Sequence, residues 1–119
     1  MKSNNTKKYD LEERTFQFAK NVIGYVRKLP RGIPDIELGR QLVRSAGSVG
    51  ANYIEANESL SKKDFIMRIK ISKKEAKETY YWLKLTIPTK NYEHTKIELM
   101  CESEELQKIF GAIIRNFTI

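Results

Sequence analysis

Apolar residues along this chain return every three or four positions, and nowhere do they sustain the strict alternation of a half-buried strand. Leu11, Phe18, Val22, Tyr25, Val26 and Leu29 share one helical face, and Leu99, Leu106, Phe110, Ile113 and Phe117 share another near the C-terminus. Three prolines punctuate the pattern: Pro30 and Pro34 enclose LPRGIP, and Pro88 closes TIPTKN. Proline lacks the backbone N–H and disfavours helical geometry in the residue before it, so these clusters end helices. Helices are predicted over about 10–29, 34–57, 61–86 and from 92 or 95 to 116. Asp10 is the predicted N-cap of the first, with Glu12 and Glu13 complementing its dipole. Ser61 caps the third, with Asp64 in the carboxylate position of a capping box. Four long helices with short connections predict an all-α fold, an antiparallel up-down-up-down four-helix bundle. The polar first nine residues are expected to be disordered, leaving 10–119 as a single bundle domain.

The stretch RSAGSVGANYIEANESLSKKDF, residues 44–65, is polar and glycine-bearing for a helix interior. Turned at about 100° per residue, it resolves into order. Leu38, Leu42, Ala46, Val49, Tyr53 and Ala56 fall along one side, and Gln41, Ser45, Ser48, Asn52 and Glu55 along a neighbouring strip. The strip could form a ligand site within the bundle. The favoured reading is a structural polar seam, Ser45, Ser48, Asn52 and Glu55, with Ala46, Gly47, Gly50 and Ala51 admitting a second helix. Two interior glycines cost roughly 1 kcal/mol each against alanine, which close packing would offset.

The third helix presents three faces. Phe65, Ile69, Ala76 and Leu83, joined by Ser72 and Thr79, form the stripe expected to face the core. Met67, Ile71, Trp82 and Leu85 lie on a second arc, read as an oligomer interface with Trp82 as its anchor, unless a neighbouring helix of the same chain covers it. Lys63, Lys70, Lys73, Lys74, Lys77 and Lys84 cluster within about a third of the wheel. From residue 61 to 87 there are eight Lys/Arg against three Asp/Glu, whereas residues 91–119 carry three against five.

Charge follows the same asymmetry. The chain carries a net +7 and a pI near 9.5, which points to an anionic partner. A lysine ridge favours phosphate-backbone contacts that position without reading bases. The plain alternative is a solvated lysine face. No arginine-rich reading helix, aromatic base-stacking platform or zinc finger accompanies the ridge, so sequence-specific recognition is not expected. Cys101 has no second cysteine to pair with, the N-terminus lacks an apolar signal-peptide core, and no apolar run approaches a membrane span. A cytoplasmic protein is expected.

Catalysis finds little support in the residues. The one histidine, His94, is far along the chain from Ser45 and Ser48, so a serine nucleophile lacks its base. Inward Glu-x-x-His pairs are absent, and GIPDIELG lacks the lysine of a phosphate loop. Glu75 and Glu78 are read as ion-paired with the lysines around them. No cofactor, metal or enzymatic activity is expected.

The segment RSAGSVGANYIEANESLSKKDFIMRIKISKKEAKETYYWLKL resembles the 23S rRNA intervening-sequence proteins of bacteria. Arg44-Ser45-Ala46, Ser48-Val49, Ala51-Asn52 and Glu55 match that family's second helix. Ser61-Lys62-Lys63-Asp64-Phe65, Ile71-Ser72, Lys74 to Glu78 and Tyr81-Trp82-Leu83 match its third. Gly50 stands where proline is common, and Ala56 where a glycine follows the glutamate. The resemblance implies a short bundle and no chemistry. Relatives include the accessory variability determinant of diversity-generating retroelements, a basic homopentamer that binds nucleic acid and a reverse transcriptase. Two readings follow: a basic homo-oligomer, a pentamer by the resemblance, that binds RNA or DNA backbone; or a protein-interaction scaffold without direct nucleic-acid affinity.

Overall fold

In the computed structural model, which describes residues 10–118, α1 runs over Leu11–Arg27, α2 over Ile33–Asn57, α3 over Lys62–Leu85 and α4 over Glu93–Thr118. A single 3₁₀ turn, Lys90–Tyr92, leads into α4, and no strand occurs among the described residues. The predicted disorder of residues 1–9 lies outside the described residues.

The helix ends follow the capping chemistry. Asp10 Oδ1 accepts the Glu13 N–H at 2.9 Å, and Ser61 Oγ accepts the Asp64 N–H at 3.1 Å. At the start of α2 the Gly32 N–H donates to Asp35 Oδ2 at 3.0 Å, with Pro34 in the first turn, where its missing N–H is harmless. α1 stops two residues short of the predicted Leu29, because Pro30 holds Leu29 out of helical geometry. Lys96 of α4 closes the far end of α3, donating from Nζ to Lys84 O at 3.2 Å and Thr86 O at 2.7 Å.

Paired contacts run in opposite directions along neighbouring helices, so the bundle is antiparallel. On α2 and α3, Ser45 meets Thr79, Val49 meets Ser72 and Asn52 meets Arg68. On α3 and α4, Phe65 stacks near Phe117 and Ala76 meets Ser103. Gly39 lies against Val26 and Gly50 against Thr15 on α2 and α1. The seam between α1 and α4 is the loosest of the four, and the Arg14 guanidinium holds it through Glu102 at 2.6 and 2.8 Å.

One core runs the length of the bundle. Phe18, Val22, Tyr25, Leu42, Ala46, Val49, Ile69, Ala76, Leu83, Leu106 and Phe110 are all buried, as the periodicities predict. Phe117 is the exception: it lies at the open end, exposed, with its ring 4.8 Å from that of Phe65.

Candidate nucleic-acid interface

The polar strip of α2 determines how α3 is turned. Thr79 Oγ1 donates to Ser45 Oγ at 2.8 Å and Ser72 Oγ to Val49 O at 2.9 Å, both inside the interface. Asn52 donates to Ser48 O and Oγ at 2.9 Å and accepts from Arg68 at 2.9 Å. The seam therefore forms within one chain, between α2 and α3. Glu55, expected in it, is exposed, and its carboxylate has no hydrogen-bond partner. Of the four it lies furthest round α2 from the core stripe at about 100° per residue. Neither glycine serves the seam: Gly50 serves α1, and Gly47 no neighbouring helix. A Cβ on Gly50 would stand 2.9 Å from Thr15 Oγ1 on α1, while one on Gly47 would meet nothing within 4 Å.

With Ser72 and Thr79 held against α2, the lysines of α3 face outward. Lys63, Lys70, Lys73, Lys74, Lys77 and Lys84 are all exposed. Lys63, Lys70, Lys77 and Lys84 recur every seven residues, a strip with about 10.5 Å between successive positions that drifts about 20° per repeat. Lys73 leans toward α4, where it lines a cavity of about 340 Å³ with Glu104, Gln107, Lys108, Gly111 and Arg115.

The two carboxylates in the middle of α3 are engaged elsewhere. Glu75 and Glu78 pair with Arg44 of α2, at 3.3 and 2.7 Å, instead of with the lysines of their own helix. The two carboxylates hold the Arg44 guanidinium proton more firmly than usual, Glu78 most, against some loss of hydration. None of the six lysines makes an ion pair among the described residues. Uncompensated like charge on one helix face is costly without a counter-anion, and it concentrates positive potential along α3.

The second apolar arc divides. Met67 and Leu85 are exposed, Ile71 is half-buried, and Trp82 is half-buried against the core with its Nε1 buried and without an acceptor. Sequence periodicity missed a longer apolar strip on the far side of the molecule: Phe16, Ile36, Val43 and Ile54 are all exposed along α1 and α2. Shallow grooves beside Gly39 and Gly47 run between them. The strip was legible as the seven- and four-residue spacing of Ile36, Val43, Gly47 and Ile54, about 120° round α2 from its core stripe.

No group of three His, Cys, Asp or Glu that could hold a metal ion occurs among the described residues. His94 is an exposed partner of Glu98 at 3.2 Å, and Cys101 is an exposed free thiol. No helix is long and apolar enough to cross a membrane.

The family model of the 23S rRNA-intervening sequence proteins matches residues 7–112, nearly the whole bundle. The chain belongs to that family. A solved structure, of a protein with unknown function from the S23 ribosomal protein family of Bacteroides thetaiotaomicron, is 32% identical and superposes with a TM-score of 0.77. The match covers 87% of this chain and 96% of that one. No curated protein matches the chain in sequence. Membership in the family agrees with the four-helix bundle and carries no statement of what the intervening-sequence proteins do.

Proposed function

We propose that this intervening-sequence protein is a non-enzymatic, basic homo-oligomer of the cytoplasm that binds the phosphate backbone of RNA or DNA without strong sequence preference. The observation that carries the reading is the lysine ridge of α3, exposed along its length while Glu75 and Glu78 are drawn away to Arg44. With those two carboxylates paired to α2, the lysines of α3 are left accessible to an outside anion. Lysine contacts to phosphate are point-like and position a strand without distinguishing bases. Self-association draws support from the exposed apolar residues, Met67 and Leu85 on α3 and Phe16, Val43 and Ile54 on the opposite side. A molecule apolar on two different faces can build a closed ring by head-to-tail contacts, and five subunits is the number the resemblance implies.

Purification without nuclease, followed by light scattering and the absorbance ratio at 260 and 280 nm, tests both parts at once. Bound nucleic acid and a mass several times 13.9 kDa are expected. Affinity should fall steeply with salt, by a slope of about 0.7 to 0.9 per phosphate neutralised, and Lys70, Lys73, Lys74 and Lys77 changed together to Glu should abolish it. Binding indifferent to those four changes refutes the ridge. A co-purifying protein with no nucleic acid bound selects the scaffold reading instead.

A further inference from the structure

One exposed aromatic stands inside the lysine field. Tyr81 is 56% exposed although it sits mid-way along the last turns of α3, and it takes no part in the core. At 100° per residue it projects within about 60° of Lys74, Lys77 and Lys84, with Lys77 about 6 Å before it along the axis and Lys84 about 4.5 Å after. Its ring is not adrift. Tyr81 and Trp82 meet edge to face, centroids 5.1 Å apart at 67°, and Trp82 is itself lodged against the core. The contact orients Tyr81 without burying it, so the loss of side-chain freedom on stacking is partly met beforehand.

An aromatic plane among phosphate-binding cations is the pairing that holds unpaired bases. Backbone charge brings the strand to the ridge, and the ring then takes one base face, whichever base it is. A duplex offers no such face, because its bases are stacked on one another inside the helix. We infer that the α3 ridge takes single-stranded nucleic acid, with Tyr81 as a base-stacking platform flanked by Lys74, Lys77 and Lys84. The sequence reading expected no aromatic platform on the ridge; the 56% exposure of Tyr81 is the observation that offers one. The inference rests on the nucleic-acid reading above and adds the strandedness of the ligand.

The test compares labelled 20-nucleotide oligo-uridine and oligo-deoxythymidine with a 20-base-pair duplex, titrated by anisotropy against the full chain and against Tyr81→Ala and Tyr81→Phe. Tyr81→Ala should weaken both single strands about tenfold and leave the duplex unchanged, while Tyr81→Phe keeps the ring and the affinity. Trp82 emission should shift on single-strand binding to the wild-type chain, through the ring contact. Preference for uridine or deoxythymidine separates RNA from DNA as the source of the strand. Equal loss on strand and duplex, or no loss at all, overturns the stacking assignment and leaves the basic ridge standing. Failure of every probe to bind removes the nucleic-acid reading and this inference with it.

Discussion

The phenolic oxygen of Tyr25 lies 2.6 Å from Oγ1 of Thr86, joining the last turns of α1 to the residue that caps α3 across the core. Thr86 donates its one hydroxyl proton to Leu83 O at 2.6 Å, so Tyr25 must be the donor between them. Burial pushes the Tyr25 phenol above its usual ionisation range. Two diagonal helices are thus tied by a proton that the folded state holds more tightly than the unfolded chain does.

That sign sets a pH window. The contribution of Tyr25 is complete below the unfolded value near 10 and is lost as pH rises through the higher folded value. Tyr25→Phe should cost about 1 kcal/mol at pH 7, where a buried hydrogen bond disappears. The variant should also lose stability less steeply than the wild type above pH about 10. Urea denaturation of both chains at pH 7, 9 and 11 measures the two slopes, and parallel slopes would refute the linkage.

Gly47 and Gly50 should respond to alanine in opposite directions. Gly47 faces open space, so Gly47→Ala gains helix propensity, about 0.8–1 kcal/mol, and raises the melting temperature by several degrees. Gly50→Ala drives a methyl against buried Thr15, whose Oγ1 is already bonded to Glu12 O at 3.0 Å, and should lower it. Thermal unfolding followed by circular dichroism distinguishes them, and a common direction would contradict the α1–α2 spacing.

Arg44 serves two carboxylates on another helix, one of them, Glu75, only 7% exposed. Arg44→Ala should destabilise the chain by about 1–2 kcal/mol, the larger part from leaving Glu75 unpaired, with the half-exposed Glu78 pair weakened by solvent. Arg44→Lys should recover less than half, because an ammonium cannot span both carboxylates as the guanidinium fork does. Denaturant midpoints of the three chains decide it; full recovery by lysine would mean that only one of the pairs matters.

Self-association should be lost through substitutions that leave the core alone. Phe16→Glu and Met67→Glu each place a charge on an exposed apolar face and should each reduce the mass by light scattering while helicity is kept. Trp82→Glu is a poorer probe, since Trp82 packs against the core and its loss would change packing as well as any interface. A monomeric wild type, or variants of unchanged mass, would defeat both faces as interfaces.

Local chemistry determined the helices. The proline clusters, Asp10 and Ser61 as caps, and the three- and four-residue spacing of Leu, Val, Ile and Phe fixed four segments and nearly all of the core, because capping and amphipathicity act over a few neighbouring residues. The lysine ridge was legible for the same reason, since residues on one helix share a face by geometry alone. What lay beyond the sequence was the rotation of each helix about its axis and the identity of its neighbour. Only the tertiary structure turned Glu75 and Glu78 to Arg44, left Glu55 outside the seam, set Gly50 against α1 and kept Gly47 open. It alone lodged Trp82 against the core while Tyr81, one residue earlier, stayed in the open among lysines. A helical wheel fixes angles between side chains of one helix, but the direction each finally faces depends on how ridges of separate helices interlock, and that is settled only when all four pack together.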